Sequence, residues 1–320
     1  MVHRILGTVN ESCERMKIGT PRKHITNTAR KTRMGPRTRP MISIRHDGNR
    51  MGQTAICADV SMKAIGSDSS DSLELGNIRR SLILMEDTII FSLIERTQYS
   101  LNEAVYQAGA IPVPMYTRQG KQLSLLEYLL RETEQVHGKI RRYTNPDENA
   151  FFPDELPPLI LPPITYPEVL WPAASSVNVN ERILDMYIHH LLPEIALHGD
   201  DGNYGSSAMY DVMILQALSR RIHYGKFVAE SKFRAQKEEY TKLIQNRDSD
   251  GIMDLLTDRA VELKVIERVK LKASTFGQDL NSGDSLLRIE PDSVAQLYDE
   301  WVMPLTKDVE VEYLLKRFDE

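Results

Sequence analysis

Arg221 and Lys232 stand where a helix should be apolar. At steps of three and four, Ile214, Leu218, Arg221, Gly225, Val228 and Lys232 share one helix face, so the periodicity buries two cations. They are eleven residues apart, about 16 Å along a helix axis at roughly 1.5 Å per residue. Gly225, between them, has no side chain. Two long side chains can bend toward each other over that gap and leave room for a small anion. A buried cation without a partner is costly, and an anion clamped from both ends supplies the partner. A single Arg or Lys on an apolar stripe is ordinarily a snorkelling side chain or half of an ion pair, so the remaining charges decide.

Other charges sit on apolar stripes in the same way. Arg79 shares one with Ile83, Ile90 and Leu93. Glu262 lies beside Val261, Val265 and Val269, with Asp258 one turn earlier; Glu310 lies beside Val309, Tyr313 and Leu314, with Thr306 one turn earlier. Three cations and three acids from four helices can therefore converge inside a bundle. A closed network of ion pairs is the competing arrangement. There is no Gly-rich phosphate loop, no Ser-His-Asp order and no metal-ligand spacing, and the adjacent rings of His189 and His190 point to different helix faces. No metal and no cofactor is expected. A site of Arg, Lys and carboxyl groups without a nucleophile implies catalysis by positioning and electrostatics, acting on a small dianion.

The elements that would carry these residues are helices. Apolar periodicity runs over residues 77–98 and 124–142, with Ser124 at the start of the second. Half of the 16 prolines fall between residues 146 and 172, which forces extended, irregular backbone there. Helix resumes over 178–197 with a bend at Pro193, and the Asp/Gly/Asn run 199–205 ends it. The absence of proline between Glu194 and Glu290 permits two long helices. One runs from a cap at Ser206 or Ser207 to about Arg247, on the order of 60 Å, with Asp211 suited to its opening turn. The other spans 258–276, and helices over 291–301 and 307–318 follow. Strand-like alternation is nearly absent, so the fold class is all-α, a single domain of long helices with its site inside the bundle.

The chain of 320 residues carries a net charge of −5 that hides an asymmetry. Residues 1–64 hold 13 Lys and Arg against 4 acids, which leaves the remainder at −14. The first segment is rich in Arg, Ser, Thr and Met without sustained apolar periodicity, the composition of an organelle transit peptide. The expected organisation is a transit-peptide-like extension at 1–64, a linker at 65–74 and a helical domain at 75–320, in a plastid (chloroplast), with the cytosol as the alternative. Both cysteines, Cys13 and Cys57, lie in the extension, and cleavage near residues 56–58 would leave a domain without thiols. No apolar run reaches the roughly 18 residues of a membrane span. The extension lacks interleaved aromatics and the acidic body repels phosphate, so neither membrane nor nucleic acid is an expected partner.

Several longer segments carry a resemblance. They are Asn77-Ile78-Arg79 with Met85-Glu86-Asp87; Ile140-Arg141-Arg142 with Pro146-Asp147-Glu148 and Phe151-Phe152-Pro153; Asn203-Tyr204-Gly205-Ser206; the helix through Arg221 and Lys232; and Thr306 to Leu315. In this order they resemble the all-helical chorismate mutases of fungi and plants, from about residue 75 to 320. The resemblance implies a Claisen rearrangement of chorismate to prephenate on the route to phenylalanine and tyrosine. It implies Arg79 and Arg221 as carboxylate clamps, Lys232 and Glu310 as donors at the ether oxygen, Glu262 at the ring hydroxyl and Thr306 beside the site. Asp258 stands where the fungal relative has an asparagine that binds a substrate carboxylate. The resemblance further implies a homodimer with a regulatory site between subunits for Trp, Tyr or Phe, matched by Arg141, Arg142, Gly205 and Ser206; Met209 replaces a nearby threonine. A non-catalytic helical effector-binding protein of the same fold is the alternative, and it requires broken clamp residues. Here they are intact.

Overall fold

The computed structural model describes residues 73–114, 120–278 and 287–318. The chain divides into two units, residues 1–52 and 53–320, and every described residue belongs to the second. The basic extension at 1–64, its cleavage site, both cysteines and the linker up to residue 72 lie outside the described residues.

Every regular element among the described residues is helical, as the periodicity predicts. Helix α1, Leu75–Arg96, buries Ile78, Met85, Ile89, Ile90 and Leu93. Helix α2, Leu125–Lys139, opens on a capping box: Ser124 Oγ accepts from the Glu127 amide, and the Glu127 carboxylate accepts from the Ser124 amide. The proline segment that follows is largely irregular, with short 3₁₀ turns at Pro153–Glu155 and Pro172–Ser176. It is held to α2 by Glu134, whose buried carboxylate accepts from the amides of Phe151 and Phe152. Helices α3, Asn180–Met186, and α4, Leu192–Ile195, come next. Helix α5, Tyr204–His223, then runs through the main core, with α1, α2 and the helix Met303–Leu315 packed on it.

The long helix expected from Ser206 or Ser207 to Arg247 is corrected in three ways. It starts earlier, at Tyr204, and no serine caps it: Ser207 Oγ donates back to the Asn203 carbonyl. Asp201 sets the start instead, accepting from the amides of Ser100 and Asn203. After a tightened turn at Tyr224 the rod continues as α6, Gly225–Ala235, and then breaks at Gln236 (φ −131°, ψ 48°). The remainder is α7, Lys237–Gln245, a left-handed Arg247 (φ 52°), and α8, Ser249–Leu256. Asp211 does not serve the opening turn as a surface charge; it is fully buried.

Helix α9, Arg259–Phe276, is capped by Asp258. Helices α10, Pro291–Leu297, and α11, Met303–Leu315, form one rod rather than two separate helices. A π-helical turn at Tyr298–Val302 joins them, with the Met303 amide bonded to the Tyr298 carbonyl five residues back. The same device joins α3 to α4 at Tyr187–Leu191, where the Leu192 amide bonds to the Tyr187 carbonyl. Both wide turns immediately precede a helix with proline in its first turn, Pro193 or Pro304. A proline lacks an N–H and crowds the carbonyl four residues back, and an extra residue in the turn relieves that clash without ending the helix.

Candidate functional site

The face read from the sequence exists, and α6 carries it toward solvent. Ile214 and Leu218 are fully buried, Arg221 is 4% exposed, and Lys232 is half-buried. Gly225 plays another part than the expected one. A Cβ there would lie 2.8 Å from the Thr306 carbonyl oxygen and 3.2 Å from Glu310 Cγ. The missing side chain admits the backbone of α11, not an anion, and so brings Thr306 and Glu310 against Arg221 and Lys232.

At that contact Arg221 Nη1 reaches Thr306 Oγ1 at 3.5 Å, and the Thr306 hydroxyl donates to the Val302 carbonyl at 2.6 Å. The Lys232 ammonium lies 3.6 Å from Glu310 Oε2 and donates to the Leu256 carbonyl at 2.6 Å, the last turn of α8 holding it in place. Burial pushes the Glu310 carboxyl up to about 6, against the pull of Lys232, Arg221 and Lys307. Several buried polar atoms here have no hydrogen-bond partner among the described residues: Arg221 Nε, Glu310 Oε2 and the phenol oxygens of Tyr240 and Tyr298. The Arg221 guanidinium lies 6.0 Å from the Tyr298 ring centre.

Arg79 reaches the same region from α1. It is exposed, and with Arg221 it lines a cavity of about 340 Å³ whose wall includes Leu82, Glu86, Val265 and Arg268. Glu262 stands on the opposite helix with its carboxylate between Lys307 at 2.9 Å and Arg259 at 3.1 Å. Asp258 is exposed, and its Oδ1 accepts from the amides of Ala260 and Val261 as the cap of α9. Thus Arg221, Lys232, Thr306 and Glu310 converge, Arg79 joins them through the cavity, Glu262 is tied to the residue after Thr306, and Asp258 has a capping duty of its own.

Three residues were missed by the sequence reading. Glu86, fully buried, takes a two-point contact from Arg268 at 2.9 and 2.6 Å and another from Lys272 at 3.1 Å. Its signal was available, since Glu86 is two turns from Arg79 on the same helix. Lys307 adjoins Thr306. Tyr298 carries no local signal: it opens the π turn and is fully buried, as an ordinary core aromatic would be.

The residues matched to a regulatory site do not meet within one chain. Arg141, held in left-handed backbone (φ 75°), donates to the Pro162 carbonyl at 2.6 Å. Arg142 pairs with Glu148 at 3.1 Å and donates to Gln216 at 2.7 Å. Gly205 and Ser206 begin α5, roughly 15 Å along the axis from Gln216 at 1.5 Å per residue. Among the described residues no group of His, Cys, Asp or Glu could hold a metal ion, and no helix is long and apolar enough to cross a membrane.

The chain matches the family Chorismate mutase type II over residues 203–311. It is 50% identical over 258 residues to chorismate mutase 1, chloroplastic, of Petunia hybrida, covering 79% of this chain and 78% of the relative. It is 44% identical over 255 residues to the cytosolic chorismate mutase 2 of Zea mays, covering 78% and 98%. Among solved structures, Aro7p chorismate mutase from Candida albicans in complex with L-Trp superposes with a TM-score of 0.75 at 42% identity, covering 79% of this chain and 94% of that one. AtCM1 with tyrosine bound in its allosteric site gives 0.70 at 48% identity, covering 79% and 99%. By the convergence of cations and acids in a helical interior, and by these likenesses over nearly four-fifths of its length, the chain belongs to the chorismate mutase type II family of isomerases.

Proposed function

We propose that the site rearranges chorismate to prephenate with the residues named above in distinct roles. The observation that carries this reading is two buried polar atoms without a hydrogen bond, Arg221 Nε and Glu310 Oε2, the second facing the Lys232 ammonium at 3.6 Å, on helices locked together at Gly225. Guanidinium forks match carboxylates, so Arg79 and Arg221 clamp the two carboxylates and fold the substrate toward its reactive shape. That removes much of the entropic barrier. As the C–O ether bond breaks and the C–C bond forms, the ether oxygen gains negative charge. Lys232 and protonated Glu310 donate to it, while Glu262 accepts from the ring hydroxyl and Thr306 steadies Arg221. The Asp258 cap places the first turn of α9, and so Glu262. The test is the loss of chorismate absorbance on adding the full chain, with prephenate as product; no loss overturns the reading.

The same proposal includes control by aromatic amino acids at a homodimer interface. Support comes from the separation of Arg141 and Arg142 from Gly205 and Ser206 within one chain, which a second copy can close. Exposed Met209 (46%) and Met213 (47%), one turn apart on α5, suit such an interface. A helix N-terminus and a guanidinium fit an amino-acid carboxylate. Titrating Trp, Tyr and Phe into the assay tests it, and sedimentation of the protein as a monomer at assay concentration removes it. Residues 1–64 are proposed as a plastid-targeting extension on composition alone. Relatives are named both chloroplastic and cytosolic, and N-terminal sequencing of the mature protein that returns Met1 overturns the assignment.

A further inference from the structure

Lys307 has no role in the scheme above, yet it occupies a hinge of the site. It follows Thr306 on α11, and its ammonium lies 2.9 Å from Glu262 Oε1 on α9, with the two side chains 23% and 13% exposed. The other cation on Glu262 is Arg259, which is 55% exposed and shared with Asp299 at 2.9 Å. Lys307 is the more enclosed and undivided partner. It also spans two helices, whereas Arg259 and Glu262 belong to one.

Both ends of this pair adjoin working residues. On α11, Thr306 and Glu310 lie within one turn of Lys307, and on α9 the acid is Glu262 itself. A carboxylate that must accept from a hydroxyl has to be fixed in direction, because a free rotamer loses the alignment that makes the contact useful. Arg259 and Lys307 each take a different oxygen of Glu262. Held at both oxygens, the carboxylate is fixed in orientation.

We infer that Lys307 is a positioning residue of the rearrangement, aiming the Glu262 carboxylate at the ring hydroxyl of the substrate through the α9–α11 ion pair. The inference rests on the assignment of Glu262 to that hydroxyl. It makes Lys307 a determinant of specificity for a hydroxylated ring, because its direct contact is with Glu262, while it acts on Glu310 only as a weaker charge behind Lys232 and Arg221.

The test compares full-length wild type with Lys307→Met, Lys307→Arg, Glu262→Ala and the Lys307→Met/Glu262→Ala double variant, each on chorismate and on an analogue lacking the ring hydroxyl. With chorismate, Lys307→Met lowers kcat/KM about tenfold, and Lys307→Arg recovers most of it. In the Glu262→Ala background, Lys307→Met causes no further loss, since two residues acting as a unit are not additive. On the analogue, assayed below the Glu310 value of about 6 so that its carboxyl is protonated with or without the Lys307 charge, Lys307→Met and wild type turn over alike. An equal loss on both substrates, or a full further loss in the Glu262→Ala background, overturns the inference. Glu262→Ala with undiminished activity overturns the hydroxyl assignment itself and takes the inference with it. Lys307→Met at wild-type activity while Glu262→Ala is impaired overturns Lys307 alone.

Discussion

Two buried arginines on neighbouring helices differ in how completely their donors are satisfied. Arg96, at the end of α1, is fully buried, and all three of its nitrogens donate: Nε to Asp211 at 2.7 Å, Nη1 to the Tyr99 carbonyl, Nη2 to the Ser100 and Leu101 carbonyls and the Tyr106 hydroxyl. Asp211 in turn accepts from the phenols of Tyr106 and Tyr187. Arg221, ten positions after Asp211 on α5 and also buried, has one long contact to Thr306 and an Nε without a hydrogen bond. Burial is the same and satisfaction is not. A closed network holds the fold, whereas an open one leaves hydrogen-bonding capacity unused, as the proposed substrate clamp requires.

The comparison breaks most directly if the two arginines are removed in turn. Arg96→Ala strands the buried Asp211 carboxylate, and a charge left without its partner costs about 3–5 kcal/mol of stability. For a domain of this size that is a fall of roughly 10 °C in Tm, read by thermal melting, with kcat/KM of the molecules still folded near wild type. Arg221→Ala does the reverse. Turnover falls about 10²–10³-fold, the loss typical of a preorganised charged donor, and Tm changes little because no described acid is left stranded. If Arg221→Ala melts like Arg96→Ala, or retains turnover, the distinction between open and closed networks fails.

The sequence alone could not make that distinction. Arg221, Lys232, Glu262 and Glu310 were legible because cations and acids interrupt apolar stripes, and helix boundaries were legible where a local device marks them, as at Ser124 or Asp258. Arg96 and Asp211 interrupt stripes in the same way, yet their 115-residue separation hides that they satisfy each other. Periodicity tells which side chains are buried, not whether a distant partner completes them. The break at Gln236 has no proline or glycine to announce it; tertiary packing of α7 and α8 bends the rod. Pro304 did announce a disturbance, but whether a helix ends or widens by one residue depends on what packs around it.

Gly225 sharpens the comparison on the side of geometry. An alanine Cβ there would meet the Thr306 carbonyl at 2.8 Å, and backbone cannot rotate away as a side chain can. Gly225→Ala should therefore push α11 from α6, costing about 1–3 kcal/mol by overpacking. Because Thr306 and Glu310 ride on α11, a shift of even part of an ångström reduces kcat/KM by up to about 10²-fold. Melting and turnover fall together in this variant, unlike either arginine substitution. Full activity in Gly225→Ala would mean that the close approach does not set the site.

Protonation of Glu310 gives the smallest effect and the finest test. Burial lifts its carboxyl from 4.5 to about 6, while Lys232, Arg221 and Lys307 pull it down; the Tyr240 phenol, itself raised by burial and by the Glu310 charge, lies on the α7 side. A folded-state value above the unfolded one favours the protonated form. Its contribution to stability is therefore complete below about 4.5 and lost as pH rises through about 6. The donor disappears over the same interval, so kcat/KM of the wild type falls on the alkaline side from near pH 6. The limb in kcat lies higher, because a bound dianion opposes ionisation. Glu310→Gln supplies an amide donor at every pH, so it keeps activity at neutral pH and flattens both limbs. Asp211→Asn, at a carboxyl also lifted by burial but already surrounded by donors, should change Tm and leave the pH profile of activity in place. A Glu310→Gln variant with the wild-type alkaline limb would move the ether-oxygen donor elsewhere, and Lys232 would then have to carry that charge alone.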